Sequence, residues 1–151
     1  MKGLKIERAK PSNVIDIYAL LKAAVPEKIL PGAPSERQIK AYYPMLLREL
    51  ASQNHLFYVA KRGRGYLGFA HAVLIPGRWD GIQNQVIVDL VYVSEHRRKH
   101  GIGRKLLDEI KKEVENMGIT KVAFSCPLIQ MSYWEKERNA KAIQIEMEVN
   151  L

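Results

Sequence analysis

The sequence predicts one mixed α/β domain in which antiparallel strands come first and a single parallel β–α–β unit follows. Three observations carry that prediction. Two apolar runs of strand length, LFYVA (56–60) and YLGFAHAVLI (66–75), flank the glycine-bearing turn KRGRG, which is a hairpin signal. A third run, QVIVDLVYV (85–93), is followed by apolar residues at helical spacing and then by a fourth run, KVAFS (121–125). Helical patterns also occupy the stretch before the hairpin, so the elements are interleaved rather than segregated.

In chain order, LKIERA (4–9) alternates and reads as a short first strand. Pro11, Ser12 and Asn13 offer a helix start, and Val14, Ile17, Leu20 and Leu21 form one stripe up to about Ala24. PEKILPGAPSE (26–36) holds three prolines and a glycine and is a loop. A second helix opens at Ser35 and Glu36, with Ile39, Tyr42, Tyr43, Leu46, Leu47 and Leu50 as apolar positions. Pro44 predicts a kink in it or a break into two pieces. After the hairpin and the third long strand, a helix carries Leu106, Leu107, Ile110, Val114 and Met117 on one face and ends at Gly118. Residues 130–139 read as a short polar helix, and AIQIEMEVNL alternates as a final strand.

With 151 residues, the chain predicts one domain spanning 1–151, with enough length to bury a core. Its 47% apolar and 26% charged content is that of an ordinary globular protein. No apolar run reaches the roughly 18 residues of a membrane span, so no membrane partner is expected. The start, MKGLKIERAK, lacks the apolar centre of a secretory signal, and the lone Cys126 suits a reducing compartment; a cytoplasmic location is expected. One cysteine also excludes a thiolate-rich zinc site, and no metal is expected. The net charge of +8 favours polyanionic partners without saying which.

The placement of that charge is more informative. RRKHGIG (97–103) lies where a strand-like run stops at Val93 and a helix-like run begins near Ile102. The first turn of a helix leaves N–H groups without intrahelical partners at the positive end of its dipole, which suits a phosphate. Glycine at 101 and 103 removes the Cβ atoms that would hold a diphosphate off the backbone, and Arg98, Lys99, His100 and Arg104 surround the position with charge. A P-loop spacing is absent, and so is the third glycine of a dinucleotide fingerprint.

Arg98-Lys99-His100-Gly101-Ile102-Gly103 fits R-x-x-G-x-G and resembles the coenzyme A signature of the GCN5-related N-acetyltransferases, Q/R-x-x-G-x-G/A. The stretch DLVYVSEHRRKHGIGRKLL is similar to that family's fourth strand, loop and third helix without a gap, and the order of elements over residues 4–125 is also similar. The resemblance implies an acyl-CoA N-acyltransferase fold that takes acetyl-CoA as cosubstrate and acetylates an amine on a small molecule or a protein. It implies that the amides of residues 98–104, Ile102 included, hold the pyrophosphate. The backbone around Val91, Tyr92 and Val93 would pair with the pantetheine arm, and an N–H of Tyr92 or Val93 would polarise the thioester carbonyl.

Acetyl transfer to an amine needs a neutral amine, a polarised carbonyl and a proton for the leaving thiolate. Asp89 is the only acid within QVIVDLVYV and is the candidate base, with pairing to a nearby basic group as its competing role. MSYWEKERNA resembles the family segment that carries an acidic tyrosine. Strict alignment places Trp134 at that position, so Tyr133 is the candidate acid only if the helix turns by about one residue. Covering the pantetheine arm is an equal use for the pair. His55 and His71 read as solvated or core histidines. The segment between EKERN and the final strand is short, which implies that the hairpin of the family's sixth and seventh strands is shortened. A homodimer through the last strand or the YWEK helix is then expected, with a charged edge at Glu146 and Glu148 as the monomeric alternative. The rival functions are a non-catalytic coenzyme A-binding regulatory module and, less favoured because the basic loop lacks aromatics, a nucleic-acid-binding domain.

Overall fold

The computed structural model describes residues 2–77, 84–119 and 121–124. Five strands form one sheet in sequential order: β1 (Leu4–Arg8), β2 (His55–Arg62), β3 (Gly65–Ile75), β4 (Gln85–Val93) and β5 (Val122–Phe124). The first four are antiparallel neighbours and β4 pairs with β5 in parallel. Helices α1 (Val14–Ala24) and α2 (Glu36–Ala51) separate β1 from β2, and α3 (Ile102–Asn116) makes the crossover from β4 to β5. The mixed α/β architecture expected from the sequence is therefore present. The short polar helix and the alternating strand expected beyond residue 129, with the shortened hairpin and the dimer contact built on them, lie outside the described residues.

Strand alternation divides the core into two layers. Phe57, Val59, Phe69 and Tyr92 point to the face covered by Ile17, Leu20 and Leu21 of α1 and by Ile39, Leu46 and Leu50 of α2. Leu56, Ala60, Ala70, Ala72, Val86 and Val88 point to the other face, covered by Ile102, Leu106, Leu107, Ile110 and Val114 of α3. The small residues Ala60, Ala70 and Ala72 let α3 lie close to the sheet, and burial of its stripe is the main source of its stability. On the same face, the Tyr58 hydroxyl donates to Glu113 of α3, and Arg8 pairs with the same carboxylate.

Three expectations change in detail. Helix α2 runs unbroken through Pro44, because that proline and the residues one turn before it, Lys40 and Ala41, face solvent. The carbonyl left without a proline N–H partner can be hydrated there. Leu47 and Met117, expected on buried faces, are 41% and 42% exposed. The hairpin turn is only Gly63 and Arg64, so the flanking lysine and arginine of KRGRG belong to β2.

Between β3 and β4 the register slips. His71 pairs with Leu90 while Ala72 pairs with Val88, which leaves Asp89 as an extra residue without a partner opposite. This is a β-bulge, and it reverses the facing of β4: Val88 faces α3, whereas Leu90 and Tyr92 face α1 and α2.

Candidate active site

Two features lie along β4, a basic glycine turn beyond its end and a polar cluster at its bulge. The turn begins with a short 3₁₀ segment, Glu95–Arg97, and reaches α3 through Lys99 and Gly101, both in the left-handed region at φ 64° and 73°. Successive N–H groups arranged in this way form a concave surface suited to an anion. Gly101 is the residue preceding the first turn of α3; as a glycine it gives that helix end no side-chain cap, and there is no acid in the first turn. Helix α2 differs: Ser35 and Gln38 close its start in a capping box. At the start of α3 the N-cap residue takes up none of the helix N–H groups with a side chain.

The glycines are informative about what the turn holds. A Cβ on Gly101 would meet nothing within 4 Å, and one on Gly103 would make ordinary contacts of 3.7 and 3.8 Å with Val91 and Val93. Backbone conformation explains glycine at 101. Packing of the described residues does not demand it at 103, where a Cβ would rest in ordinary contact against the side chains of Val91 and Val93. The turn fits a diphosphate on these grounds.

Arg98 is used differently from its neighbours. Its Nε donates to the carbonyl of Val93 at 2.9 Å, and its Nη2 donates to both carboxylate oxygens of Glu27, at 2.9 and 2.8 Å. Its guanidinium also lies 5.9 Å from the centre of the Tyr92 ring. Arg98 therefore contributes its charge to a tie between this turn and the segment linking α1 to α2. His100 is exposed, with Nδ1 2.7 Å from the carbonyl of Arg98, and Lys99 is exposed beside it.

Val91, Tyr92 and Val93 pair along one edge with Ala70, Phe69 and Gly68. Among the described residues β5 meets the other edge only at Val86–Val88, so the stretch from Asp89 to Val93 has no strand on that side. Gly68 is required here. A Cβ would sit 2.4 Å from the carbonyl oxygen of Tyr92 and 3.1 Å from the Cα of Val93.

The polar cluster surrounds Asp89. The acid was expected in a buried strand, yet the bulge leaves its side chain 41% exposed while sealing one oxygen. That oxygen, Oδ1, makes no aligned hydrogen bond and lies 2.7 Å from Nδ1 of His71, which is buried. Nε2 of His71 is 2.9 Å from Nδ1 of His55, and Glu49 Oε2 is 4.0 Å from that same nitrogen. Glu49 also accepts from the hydroxyl of Tyr42, and that contact together with burial raises the Tyr42 pKa far above its ordinary value. Burial lowers the pKa of His55, outweighing the attraction of Glu49. Glu49, His55 and His71 each bring a ligand-type atom within 4.8 Å of the others.

Of the residues singled out from sequence, the structure brings Val91, Tyr92, Val93 and the turn 98–104 to one end of β4, with Asp89 on the same strand. Tyr133 and Trp134 lie outside the described residues. Sequence reasoning missed the joint role of His71, His55, Glu49 and Glu27. Only His71 carried a signal, since it shares the inward parity of Phe69 on β3; the others meet through the tertiary fold.

The chain thus combines a mixed five-stranded sheet, a glycine-led start to α3 after its fourth strand and, among the described residues, a β4 edge that β5 pairs with only at Val86–Val88. The Acetyltransferase (GNAT) family model matches residues 17–131, and the chain belongs to that family. No curated protein sequence matches it. Among solved structures, it is similar to a predicted acetyltransferase with acetyl-CoA from Clostridium acetobutylicum, at TM-score 0.79 and 14% identity over 97% of this chain and 96% of that one. It is also similar to an aminoglycoside acetyltransferase from an uncultured soil metagenomic sample in complex with sisomicin, at TM-score 0.76 and 15% identity over 99% and 97%. A ribosomal-protein-alanine N-acetyltransferase from Brucella melitensis biovar Abortus 2308 gives 0.69 and 17% over 98% of both chains. At such identities the likeness is one of fold. Among the described residues, no helix is long and apolar enough to cross a membrane.

Proposed function

We propose that the protein is an acetyl-CoA-dependent N-acetyltransferase that acetylates a primary amine of a small molecule or a protein. One observation carries the reading: the turn from Lys99 to Gly103, with two left-handed residues, a glycine at the start of α3 and, among the described residues, open space where a Cβ on Gly101 would lie. In this reading the amides of residues 98–104 hold the pyrophosphate, Lys99 and Arg104 add attraction, and the edge of Val91, Tyr92 and Val93 that β5 leaves unpaired among the described residues takes the pantetheine arm. Acetyl-CoA supplies the activated acyl group. An N–H of Tyr92 or Val93 polarises the carbonyl oxygen as charge develops on it. Asp89 accepts the proton of the incoming ammonium, its exposed oxygen facing solvent and its sealed one held beside His71. Tyr133 stands as the candidate donor to the leaving thiolate. A cytoplasmic setting and a homodimer through the C-terminal segment belong to the same reading.

Two experiments test it. A ligand that binds only the folded state stabilises it by about 2.7 kcal/mol at a hundredfold excess over Kd, so about a millimolar acetyl-CoA should raise the melting temperature by several degrees. Absence of a shift overturns the coenzyme assignment. Thiol release with a panel of alkyl amines, aminoglycosides and peptide N-termini, against the matching alcohols, then tests amine transfer. Binding without turnover of any amine would favour the regulatory module.

A further inference from the structure

The polar cluster behind Asp89 has a geometry more specific than that of buried histidines in general. The ring centres of His55 and His71 are 5.2 Å apart, their planes differ by 4°, and their facing nitrogens are 2.9 Å apart. The centre-to-centre distance equals the nitrogen separation plus the two centre-to-nitrogen radii. That equality holds only if both centres and both nitrogens lie nearly on one line. The rings are thus edge to edge in a common plane, and the lone pair of one nitrogen points along the N–H of the other. A tetrahedral ion would need the two lone pairs to converge at an angle, so one proton, not a metal, belongs between them.

The direction of that hydrogen bond follows from the remaining partner. Nδ1 of His71 faces a carboxylate oxygen at 2.7 Å, a contact that is repulsive unless Nδ1 carries the hydrogen. In a neutral ring Nε2 is then bare and accepts from Nδ1–H of His55. Burial lowers the pKa of His55, in keeping with a neutral ring that donates once. The groups facing the pair are Asp89 from β4 and Glu49 and Tyr42 from α2. Phe57 of β2 stacks on His71 at 4.1 Å between ring centres.

We propose that His71 is a positioning residue for Asp89, with its tautomer fixed by His55, so that the carboxylate at the bulge is held in one orientation as a proton acceptor. This role rests on the assignment of Asp89 as the base. The bulge requires such a device: an extra residue has no cross-strand partner to orient it, and a half-exposed carboxylate otherwise rotates freely. Phe57 closes one face of the imidazole, and His55 supplies the donor that leaves the hydrogen on Nδ1, the nitrogen 2.7 Å from the Asp89 carboxylate.

Nitrogen-15 NMR of the full chain reads the tautomers without a substrate. The expected result is a protonated Nδ1 and an unprotonated Nε2 on His71. Both Asp89→Asn and His55→Gln should move His71 toward a mixture of tautomers. With an amine accepted in the thiol-release panel, His71→Leu should lower kcat roughly ten- to a hundredfold, by analogy with the partners that orient metal-ligating side chains. The KM for acetyl-CoA should stay unchanged, and His71→Asn, whose amide nitrogen takes the place of Nδ1, should restore part of the rate. Full activity in Asp89→Asn overturns the base assignment and the positioning role with it. A dead Asp89→Asn combined with freely exchanging tautomers of His71 in the unmodified protein overturns the positioning role alone. Loss of folding in His71→Leu leaves the NMR comparison of Asp89→Asn and His55→Gln to decide.

Discussion

Gly101 concentrates the chemistry of the turn in one residue. Its φ of 73° lies in the left-handed region, where a side chain costs about 1–2 kcal/mol, and where a branched side chain is disfavoured further. Among the described residues no atom lies within 4 Å of where its Cβ would be, so the cost of substitution there is conformational rather than a clash. Gly101→Val should therefore keep a native circular dichroism spectrum, lose a small part of its stability and lose the calorimetric heat of acetyl-CoA binding. Retained affinity would show that the turn is only a connection. The neighbouring Lys99 adopts a left-handed φ without being glycine, so its strain is accepted for the sake of the turn.

At the scale of the element, β4 is shaped by two departures from regular pairing. The bulge at Asp89 re-aims everything after it, and Gly68 on β3 lets the last residues of β4 approach closely. Gly68→Ala should cost about 1–3 kcal/mol, the usual scale of overpacking, and should weaken coenzyme binding by displacing Tyr92 and Val93. Gly103→Ala, whose Cβ meets only ordinary contacts, is the matched control for the fold, and unfolding in denaturant separates the two. If both substitutions cost the same, close approach at Gly68 has no role. The strands and the glycine turn were legible because alternation and glycine spacing are local. The bulge was not: QVIVDLVYV reads as one uninterrupted strand, and the slip arises only when β3 is laid against it. For the same reason Asp89 was expected in a buried strand, although one of its oxygens reaches solvent. Glu49 and His55 flank the turn after α2 and gave no periodic signal, so their meeting with His71 depended on how that helix packs.

Across the whole molecule, the polar cluster sets how stability responds to acid. Burial lowers the His55 pKa from its usual 6.5, so the unfolded chain takes up that proton at a higher pH than the folded one. The stability from the neutral ring is intact above about pH 6.5 and is lost progressively as the pH falls toward the lowered folded value. The denaturant midpoint should therefore fall between pH 7.5 and 5.5, and by less in His55→Gln. Equal falls in the two proteins would assign the acid response to other groups.

The tie between Arg98 and Glu27 has a further consequence. It joins the turn at the start of α3 to the segment after α1, across 71 positions of sequence, with its two side chains 37% and 18% exposed. An ion pair within reach of solvent weakens as ions crowd around it, and at molar salt the screening length shrinks to about 3 Å. Ionic strength thus becomes a control on how firmly these two parts of the surface move together. The segment after α1 should loosen in concentrated salt while the sheet beneath it stays intact.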